Sequence, residues 1–419
     1  MSWDRRKPEW IRSQQEKALR RYLTDEVFPY SPFYRQRFEA AGLSRRDTGA
    51  EGALRRMPAI TLADVDDPGS IVLRPDEASI QRYAKFGLVA RVAWAKFRGT
   101  QSLLNQRVID PMYKPVHWHV DEGLPLGSSL DDVDRLGELG RRWLERAEVK
   151  PYDVVAGLLP AGPNLAYWQL VLGCRAAGLS AIHLSANAPA AQIEAVGPTV
   201  IAGRASDLLA MLEPTNGSRP VSAVARVHTA LVAGERLDLV TRARLLSLLP
   251  PGAVVVAAWA PPGVRALWSE CRGGDSLHVA PDTEYIEIAN GEIVWSAIGW
   301  RGSVLLRLRT AAFGALETTP CPACNRTTPR LRLTAVEPSF TATLSAHPGI
   351  AAWQAEVRAV NGVDELLIFF TPSGAGHPGR LIRDIDRHVG ATQYIVLPRD
   401  ELDERLAEHD GHRLVDLRN

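Results

Sequence analysis

Cys-Arg-Gly-Gly-Asp-Ser-Leu-His at residues 271–278 and Cys-Pro-Ala-Cys-Asn-Arg at residues 321–326 contain three of the four cysteines of this 419-residue chain. Two cysteines in one Pro-containing turn, Cys321 and Cys324, can direct both sulfurs to one ion. Cys271 and His278 can supply two further ligands. Three thiols and one imidazole form the ligand set of a closed tetrahedral site, so the sequence predicts a structural Zn²⁺ site within residues 271–324.

Each half of this ligand set also has a simpler explanation. Cys321 and Cys324 fit a redox pair or an ordinary turn, and His278 fits a polar residue at the end of a strand. The complete four-ligand set favours zinc, because a Cys-x-x-Cys turn alone is common. Alternating runs at 284–288 and 304–308 predict strands that bring the two ligand pairs together.

Composition indicates a globular chain that is long enough for two or more domains. Hydrophobic residues make up 46% and charged residues 23%, and the formal net charge of +1 gives no electrostatic reason to expect a nucleic-acid partner. The sequence has no apolar run long enough for a membrane span, and its N-terminus lacks the apolar core of a signal peptide. We therefore expect a cytoplasmic protein, and its few cysteines fit a reducing compartment.

Apolar runs alternate with helical patterns from residue 152 onward, which predicts a parallel sheet with helices on both faces. The predicted strands are 154–159, 180–184, 199–202 and 253–258, and the predicted helices are 130–148, 164–177, 188–196, 205–213 and 236–248. Toward the C-terminus the strands 352–360, 365–371 and 393–397, with a helix at 379–389, predict a second, smaller α/β unit.

Five motifs between residues 277 and 330 occur in an order and spacing that resemble one enzyme family. They are Leu-His-Val at 277–279, Asp-x-x-Tyr-x-Glu-Ile at 282–288, Gly-Glu-Ile-Val at 291–294, Arg-Leu-Arg-Thr at 307–310, and Cys-Pro-x-Cys-x-Arg-Thr-x-Pro-Arg at 321–330. The chain resembles the phenylacetate-CoA ligase family of adenylate-forming enzymes. Ser-Pro-Phe-Tyr-Arg at 31–35 and the C-terminal Val-Asp-Leu-Arg at 415–418 extend the resemblance over nearly the whole sequence.

The resemblance implies an α/β adenylate-forming enzyme fold in two domains. It implies a large N-terminal α/β domain at 1–332 with parallel sheets and a smaller C-terminal α+β domain at 333–419. It also implies a small-molecule carboxylate or acyl thioester as ligand, with ATP, Mg²⁺ and CoA as the family's cofactors.

The phosphate loop of this family, a Ser/Thr/Gly-rich run, is reduced here to Gly-Ser-Ser at 127–129. Ser128 and Ser129 are the candidate cofactor-binding residues, since a turn before a helix offers N–H groups to an anion. The same serines fit an N-cap. Asp131 and Asp132 follow them, and their negative charge would oppose a triphosphate.

Other family positions depart from the pattern as well. Glu270 is the candidate survivor of the glutamate that works near the nucleotide and its Mg²⁺, and it equally fits a surface acid. Arg309 lies in the ribose-binding motif, whose aspartate is replaced by Ala312, and alanine cannot accept the ribose hydrogen bonds. His412 stands near the place of the catalytic lysine, for which a shorter and mostly neutral imidazole is a poor substitute.

Two functions follow from the resemblance and its departures. The favoured one is a phenylacetate-CoA ligase-like protein that binds an acyl or aryl carboxylate, its CoA thioester or a protein partner without ordinary ATP-dependent adenylation. The alternative is an active ATP-dependent carboxylate-CoA ligase that uses substitute residues. Loss of one group that stabilises a transferring phosphate costs on the order of a hundredfold to a thousandfold in rate, so several losses favour the first function.

Overall fold

A computed structural model describes residues 3–50, 52–83, 110–185, 188, 190–212, 224–333, 344, 347–360, 363–374, 378–389, 391–409 and 413–417. The chain forms two compact units, which we describe separately. The first comprises Met1–Leu237 with Leu245–Thr334, and the second comprises Asp238–Arg244 with Ala335–Asn419. The domain assignment of 1–332 and 333–419 stays a prediction.

Helices in the first unit begin and end at the signals that the sequence carries. Ser31 caps the helix that begins at Pro32, because its hydroxyl accepts a hydrogen bond from the backbone N–H of Tyr34. A π-helical turn, Leu23–Val27, joins the first two helices. The helices are α1 (Pro8–Tyr22), α2 (Phe28–Tyr30), α3 (Pro32–Ala40), α4 (Ala53–Arg56), α5 (Glu77–Tyr83), α6 (Asp110–Tyr113), α7 (Leu130–Arg146), α8 (Leu165–Ala177), α9 (Ala190–Val196), α10 (Ala205–Leu212) and α11 (Leu239–Leu248), the last of which is divided between the two units.

The first unit is built on an 11-stranded sheet with the order β10-β11-β12-β13-β9-β8-β7-β6-β5-β3-β4. The five strands β7, β6, β5, β3 and β4 at one end of this order are parallel to one another. The remaining neighbours are antiparallel. A separate hairpin, β1 with β2, precedes α7. The strands are β1 (His117–Asp121), β2 (Leu124–Ser128), β3 (Val154–Gly157), β4 (Ser180–His183), β5 (Val200–Gly203), β6 (Thr229–Ala233), β7 (Val254–Trp259), β8 (Trp268–Ser269), β9 (Leu277–His278), β10 (Glu284–Ala289), β11 (Glu292–Ala297), β12 (Leu308–Glu317) and β13 (Arg330–Leu333).

This architecture confirms the α/β class and the parallel sheet. The strand predicted at 304–308 is wrong, because β12 begins only at Leu308. Val304, Leu305 and Leu306 instead form a buried loop that ends at Arg307, whose φ of 51° interrupts an extended backbone. Strand β6 was not predicted, although its short apolar run is of the same kind as those of β3 and β7.

The second unit contains a four-stranded sheet with the order β16-β15-β14-β17. Strands β14 and β15 form an antiparallel hairpin, and β16 and β17 add to its two sides in parallel. The predicted strands and helix of this region are all present. The elements are β14 (Ile350–Val360), β15 (Val363–Pro372), α12 (Pro378–Val389), β16 (Gln393–Val396), α13 (Arg399–Glu408) and β17 (Leu414–Asp416).

Among the described residues, no helix combines the length and the apolar character that crossing a membrane requires.

A buried carboxylate joins three strands of the large sheet. Glu284, at the start of β10, is fully buried. Its Oε2 accepts hydrogen bonds of 2.8 Å from the indole N–H of Trp268 and of 2.8 Å from that of Trp295, and its Oε1 accepts one from the backbone N–H of Ala280. Burial raises the pKa of Glu284 to about 7, although these three donors act in the opposite direction.

We expect this carboxyl group to make stability depend on pH. Its pKa is higher in the folded chain than in the unfolded chain, so the folded state binds more protons between about pH 4.5 and pH 7. The free energy of unfolding of the wild type should therefore fall, relative to that of Glu284→Gln, as the pH rises through this range. Urea unfolding of both proteins at several pH values measures it. Other titrating groups contribute to the pH dependence of both proteins. If the free energies of unfolding of the wild type and of Glu284→Gln changed in parallel with pH, the raised pKa of Glu284 would be contradicted.

Helices α7 and α8 pack with their backbones in direct contact. A Cβ atom on Gly140 would lie 2.0 Å from the carbonyl oxygen of Gln169, and one on Gly173 would lie 2.6 Å from the carbonyl carbon of Gly140. One turn away, a Cβ on Gly137 would be 3.4 Å from its nearest neighbour, the carbonyl oxygen of Leu172. Glycine is therefore required at the first two positions and replaceable at the third.

Gly140→Ala should lower the free energy of unfolding by about 3 kcal/mol, because the added methyl group forces two helices apart. Gly137→Ala is the matched control on the same helix. Its free energy of unfolding should stay within about 1 kcal/mol of the wild-type value. Alanine gains about 1 kcal/mol in helix propensity, which offsets the cost of the close contact with Leu172. Chemical denaturation measures both values. Equal effects of the two substitutions would refute the close-contact explanation.

Candidate metal centre and ligand cavity

Antiparallel pairing of three short strands brings the four predicted metal ligands together. Strand β8 ends two residues before Cys271, and its Ser269 pairs with His278 of β9. On the other side His278 pairs with Arg330 of β13, which follows the turn that contains Cys321 and Cys324. The strands that gather the ligands are thus β8, β9 and β13, rather than the runs at 284–288 and 304–308.

The donor atoms of Cys271, His278, Cys321 and Cys324 all lie within 4.8 Å of one another. The two sulfurs of Cys271 and Cys321 are 3.7 Å apart, and the sulfur of Cys324 is 3.5 Å from Nε2 of His278. A tetrahedral zinc ion with Zn–S bonds of about 2.3 Å and Zn–N bonds of about 2.0 Å requires edges of about 3.8 Å between sulfurs and about 3.5 Å between sulfur and nitrogen. The donor set therefore fits a tetrahedral metal ion.

Two tight loops shape this cluster. In the first, Gly273 has a φ of 78° and the N–H of Gly274 donates to the carbonyl of Cys271. A Cβ on Gly274 would lie 2.7 Å from the sulfur of Cys271, so only glycine permits this loop to close around the thiol. In the second, Asn325 has a φ of 58° and its N–H donates to the carbonyl of Cys321. Both loops resemble the turns that present cysteine to structural zinc.

The electrostatic surroundings favour the metal-binding forms of His278 and Cys321, whereas burial favours the neutral thiol of Cys271. Burial, reinforced by Arg146, Arg326 and Arg330, lowers the pKa of His278 to about 2, so the ring is neutral and can bind a metal. Burial raises the pKa of the Cys271 thiol. Burial acts to raise the pKa of the Cys321 thiol as well. The backbone N–H groups of Cys324 and Ala323 point at its sulfur, however, and the pKa is lowered overall. The nearby arginines can balance the net negative charge of three thiolates around one divalent ion.

We expect the purified protein to contain about one zinc ion per chain. Cys324→Ser should lose most of this metal and unfold at a lower temperature, because only three ligands remain. Cys174→Ser is the control, since Cys174 is a buried cysteine outside the cluster, and it should keep its metal. Metal content by mass spectrometry and thermal unfolding measure both effects. A wild-type protein with less than about half an equivalent of any metal would contradict the assignment.

The Gly-Ser-Ser run ends a strand and caps the helix that follows it. Gly127 and Ser128 belong to β2, where they pair with β1. Ser129 caps α7 and forms a capping box with Asp132, which confirms the N-cap alternative. Both serines are fully buried. The backbone of Gly127 is in contact with Gly302, where a Cβ would lie 2.1 Å from the carbonyl oxygen of Gly127.

Asp132 completes this packing. Its carboxylate is fully buried and accepts hydrogen bonds from the backbone N–H groups of Ser129, Arg301 and Gly302. The charge of Asp132 is therefore compensated inside the fold, whereas Asp131 is exposed and pairs with Arg301. The connection between β1 and β2 is only a two-residue turn, Glu122 with a φ of 47° and Gly123 with a φ of 83°. Such a turn closes a hairpin and is too short to wrap around a phosphate chain.

The other predicted site residues do not converge with the serines. Glu270 is buried next to β7, where its Oε2 accepts a 2.8 Å hydrogen bond from the N–H of Ala257. Arg309 is largely exposed on β12 and forms a 3.0 Å ion pair with Glu292. Ala312, at the place of the ribose aspartate, is buried. His412 lies outside the described residues. The proposed roles of Glu270, Arg309 and His412 stay predictions.

A cavity of about 480 Å³ opens at the carboxyl ends of the parallel strands. Gly234 follows β6 and Trp259 ends β7 at this edge, and the N-terminus of α8 with Gln169 forms another wall. Ligands of open α/β sheets commonly bind at such strand ends, and this volume suits a small organic molecule. The sequence did not predict it, because its walls come from four separate segments, although Trp259 at the end of an apolar run was a usable signal.

One acidic residue, Asp121 at the end of β1, enters this cavity. Its carboxylate accepts a 2.9 Å hydrogen bond from the N–H of Gly263 and lies 3.8 Å from Nε2 of His119. Burial raises the pKa of Asp121, and Glu122 adds to this effect, whereas the Gly263 bond and Arg265 oppose it. His119 is fully buried, and burial lowers its pKa to about 3, so it faces Asp121 as a neutral ring.

The fold is that of the adenylate-forming CoA ligases. It is similar to 2-hydroxyisobutyryl-CoA ligase in an open conformation with 2-HIB-AMP and CoA, with a TM-score of 0.61 and 15% identity over 92% of this chain and 87% of that chain. The same ligase in its postadenylation state with R3-HIB-AMP gives 0.61 and 15% over 97% and 93%, and its thioesterification state gives 0.57 and 14% over 97% and 90%. No family model and no curated protein matches the sequence. These likenesses confirm the predicted fold.

Proposed function

We propose that this chain is a phenylacetate-CoA ligase-like protein that binds an acyl or aryl carboxylate, or its CoA thioester, without ordinary ATP-dependent adenylation. The observation that carries the proposal is the hairpin before α7. Its two-residue turn and the burial of Ser128 and Ser129 leave no open loop in this hairpin that could surround a triphosphate. The cavity at the strand ends remains large enough for an acyl or aryl group.

Three further observations support this proposal. Ala312 offers no oxygen to a ribose. Oε2 of Glu270 accepts a hydrogen bond from a backbone N–H inside the sheet, so this oxygen is already engaged by the protein. Arg309 is engaged with Glu292. We also propose that the metal cluster holds structural Zn²⁺, that the two units are the large and small domains of the scaffold, and that the protein works in the cytoplasm.

The alternative function is an active ATP-dependent carboxylate-CoA ligase. One observation favours it: the chain matches ligase structures that hold an acyl adenylate and CoA over nearly its whole length. Substitute residues would then have to supply the missing phosphate and ribose contacts.

Thermal unfolding and a pyrophosphate assay separate the two functions. We expect phenylacetyl-CoA or another acyl-CoA to raise the melting temperature, whereas ATP with Mg²⁺ should not. A ligand present at about 100 times its dissociation constant stabilises the folded state by about 2.7 kcal/mol, which is readily detected. The same protein should release no pyrophosphate with a panel of aryl and fatty acids. Pyrophosphate release with any acid, or the absence of stabilisation by every acid and thioester tested, would contradict the proposal.

A further inference from the structure

The cavity at the strand ends has an uneven distribution of polar groups. Of the described residues that line it, Asp121 alone carries a charged side chain. Most of the others are apolar or aromatic, among them Leu165, Trp259 and Leu267, and the two amides Asn164 and Gln169 complete the wall. A single carboxylate in an otherwise apolar cavity is costly to bury unless a ligand provides a hydrogen-bond donor.

The two side-chain amides are partly engaged with the protein. Oδ1 of Asn164 caps α8 by accepting a 3.0 Å hydrogen bond from the N–H of Ala166. Nε2 of Gln169 donates to the carbonyl oxygens of Arg265 and Ala266. Asp121 is held at one oxygen by Gly263, and 22% of its side chain is exposed. It is therefore the group best placed to select a ligand by charge.

The nearby positive charges do not reverse this selection. Arg265 is fully buried behind the cavity wall, donates to the carbonyl oxygen of Gly127 and lies 4.2 Å from the ring centre of Trp300. Arg236 lies 5.2 Å from the ring centre of Trp259 and does not line the cavity. The N-terminus of α8 contributes the equivalent of about half a positive charge, and Asn164 already caps it, whereas Asp121 contributes a full negative charge inside the wall.

We infer that the cavity binds a ligand whose inserted end carries a primary amine that pairs with Asp121. A charged N–H···O⁻ hydrogen bond is roughly twice as strong as a neutral one, and the apolar walls accommodate a hydrocarbon or aryl body. A carboxylate inserted next to Asp121 would be disfavoured, so an acyl or aryl acid of the proposed class would bind here with its own carboxylate directed away from Asp121. This inference rests on the proposed function in one respect: if the occupant is the acyl chain of a thioester, the amine lies at the end of that chain away from the thioester.

Three ligands of nearly equal shape test this selection. The probes are 2-phenylethylamine, 2-phenylethanol and phenylacetate, which present a cation, a neutral hydroxyl and an anion at the same position. Calorimetric titration of the full-length, metal-loaded protein should show the amine binding at least about tenfold more tightly than phenylacetate, with the alcohol between them. Asp121→Asn should weaken amine binding by about tenfold or more and remove the preference.

Glu122→Gln is the matched control, because Glu122 is an exposed acid next to Asp121 that does not line the cavity. Glu122→Gln removes one negative charge, as Asp121→Asn does, but it should keep the preference for the amine. Asparagine can still accept the Gly263 hydrogen bond, and an unchanged metal content and circular dichroism spectrum will verify that the variant folds. Tighter binding of the alcohol or phenylacetate by the wild type, or an unchanged preference in Asp121→Asn, would overturn the inference.

The proposed function can fail separately. Amine binding that depends on Asp121 without stabilisation by any acyl-CoA would retain the cavity assignment and contradict thioester binding. Stabilisation by acyl-CoA without a preference for the amine would support thioester binding and contradict the pairing of an amine with Asp121.

Discussion

Four side chains that could hold one metal ion meet where the large sheet changes from parallel to antiparallel. Strands β3 to β7 are parallel, and β8, β9 and β13 continue the same sheet in antiparallel order. The antiparallel strands at this junction are only two to four residues long, so few backbone hydrogen bonds hold them. A metal ion held by these three sulfurs and one nitrogen would supply the cross-link that such short strands lack.

The sequence predicted those parts of the structure that depend on local pattern or on side-chain chemistry. The four ligands are specified by residue type, and the structure brings them together. The parallel strands and their helices follow from apolar periodicity. The segment 304–308 was misassigned because its apolar residues are buried in a loop that turns at Arg307, and periodicity alone does not distinguish a buried loop from a buried strand.

The cavity could not be predicted because its walls come from segments far apart in the chain. Asp121 ends a short hairpin strand, Gln169 lies on a helix, and Trp259 ends a strand of the central sheet. Ser128 and Ser129 were interpreted from a Gly-Ser-Ser pattern that suits an anion site and a helix cap equally well. Ser129 caps α7 and both serines are buried next to the distant Gly302, whose contact with Gly127 is not visible in the sequence.

The glycine contact between α7 and α8 has a consequence for how molecules can reach the cavity. Because Gly140 and Gly173 place two backbones against each other, no side chain between the helices can rearrange to let α8 slide or tilt. The α8 wall of the cavity is therefore rigid. Any widening of the opening would have to come from the other bordering segments, among them the loops at 158–164 and 260–267, in which Pro160, Pro163, Pro261 and Pro262 restrict the backbone.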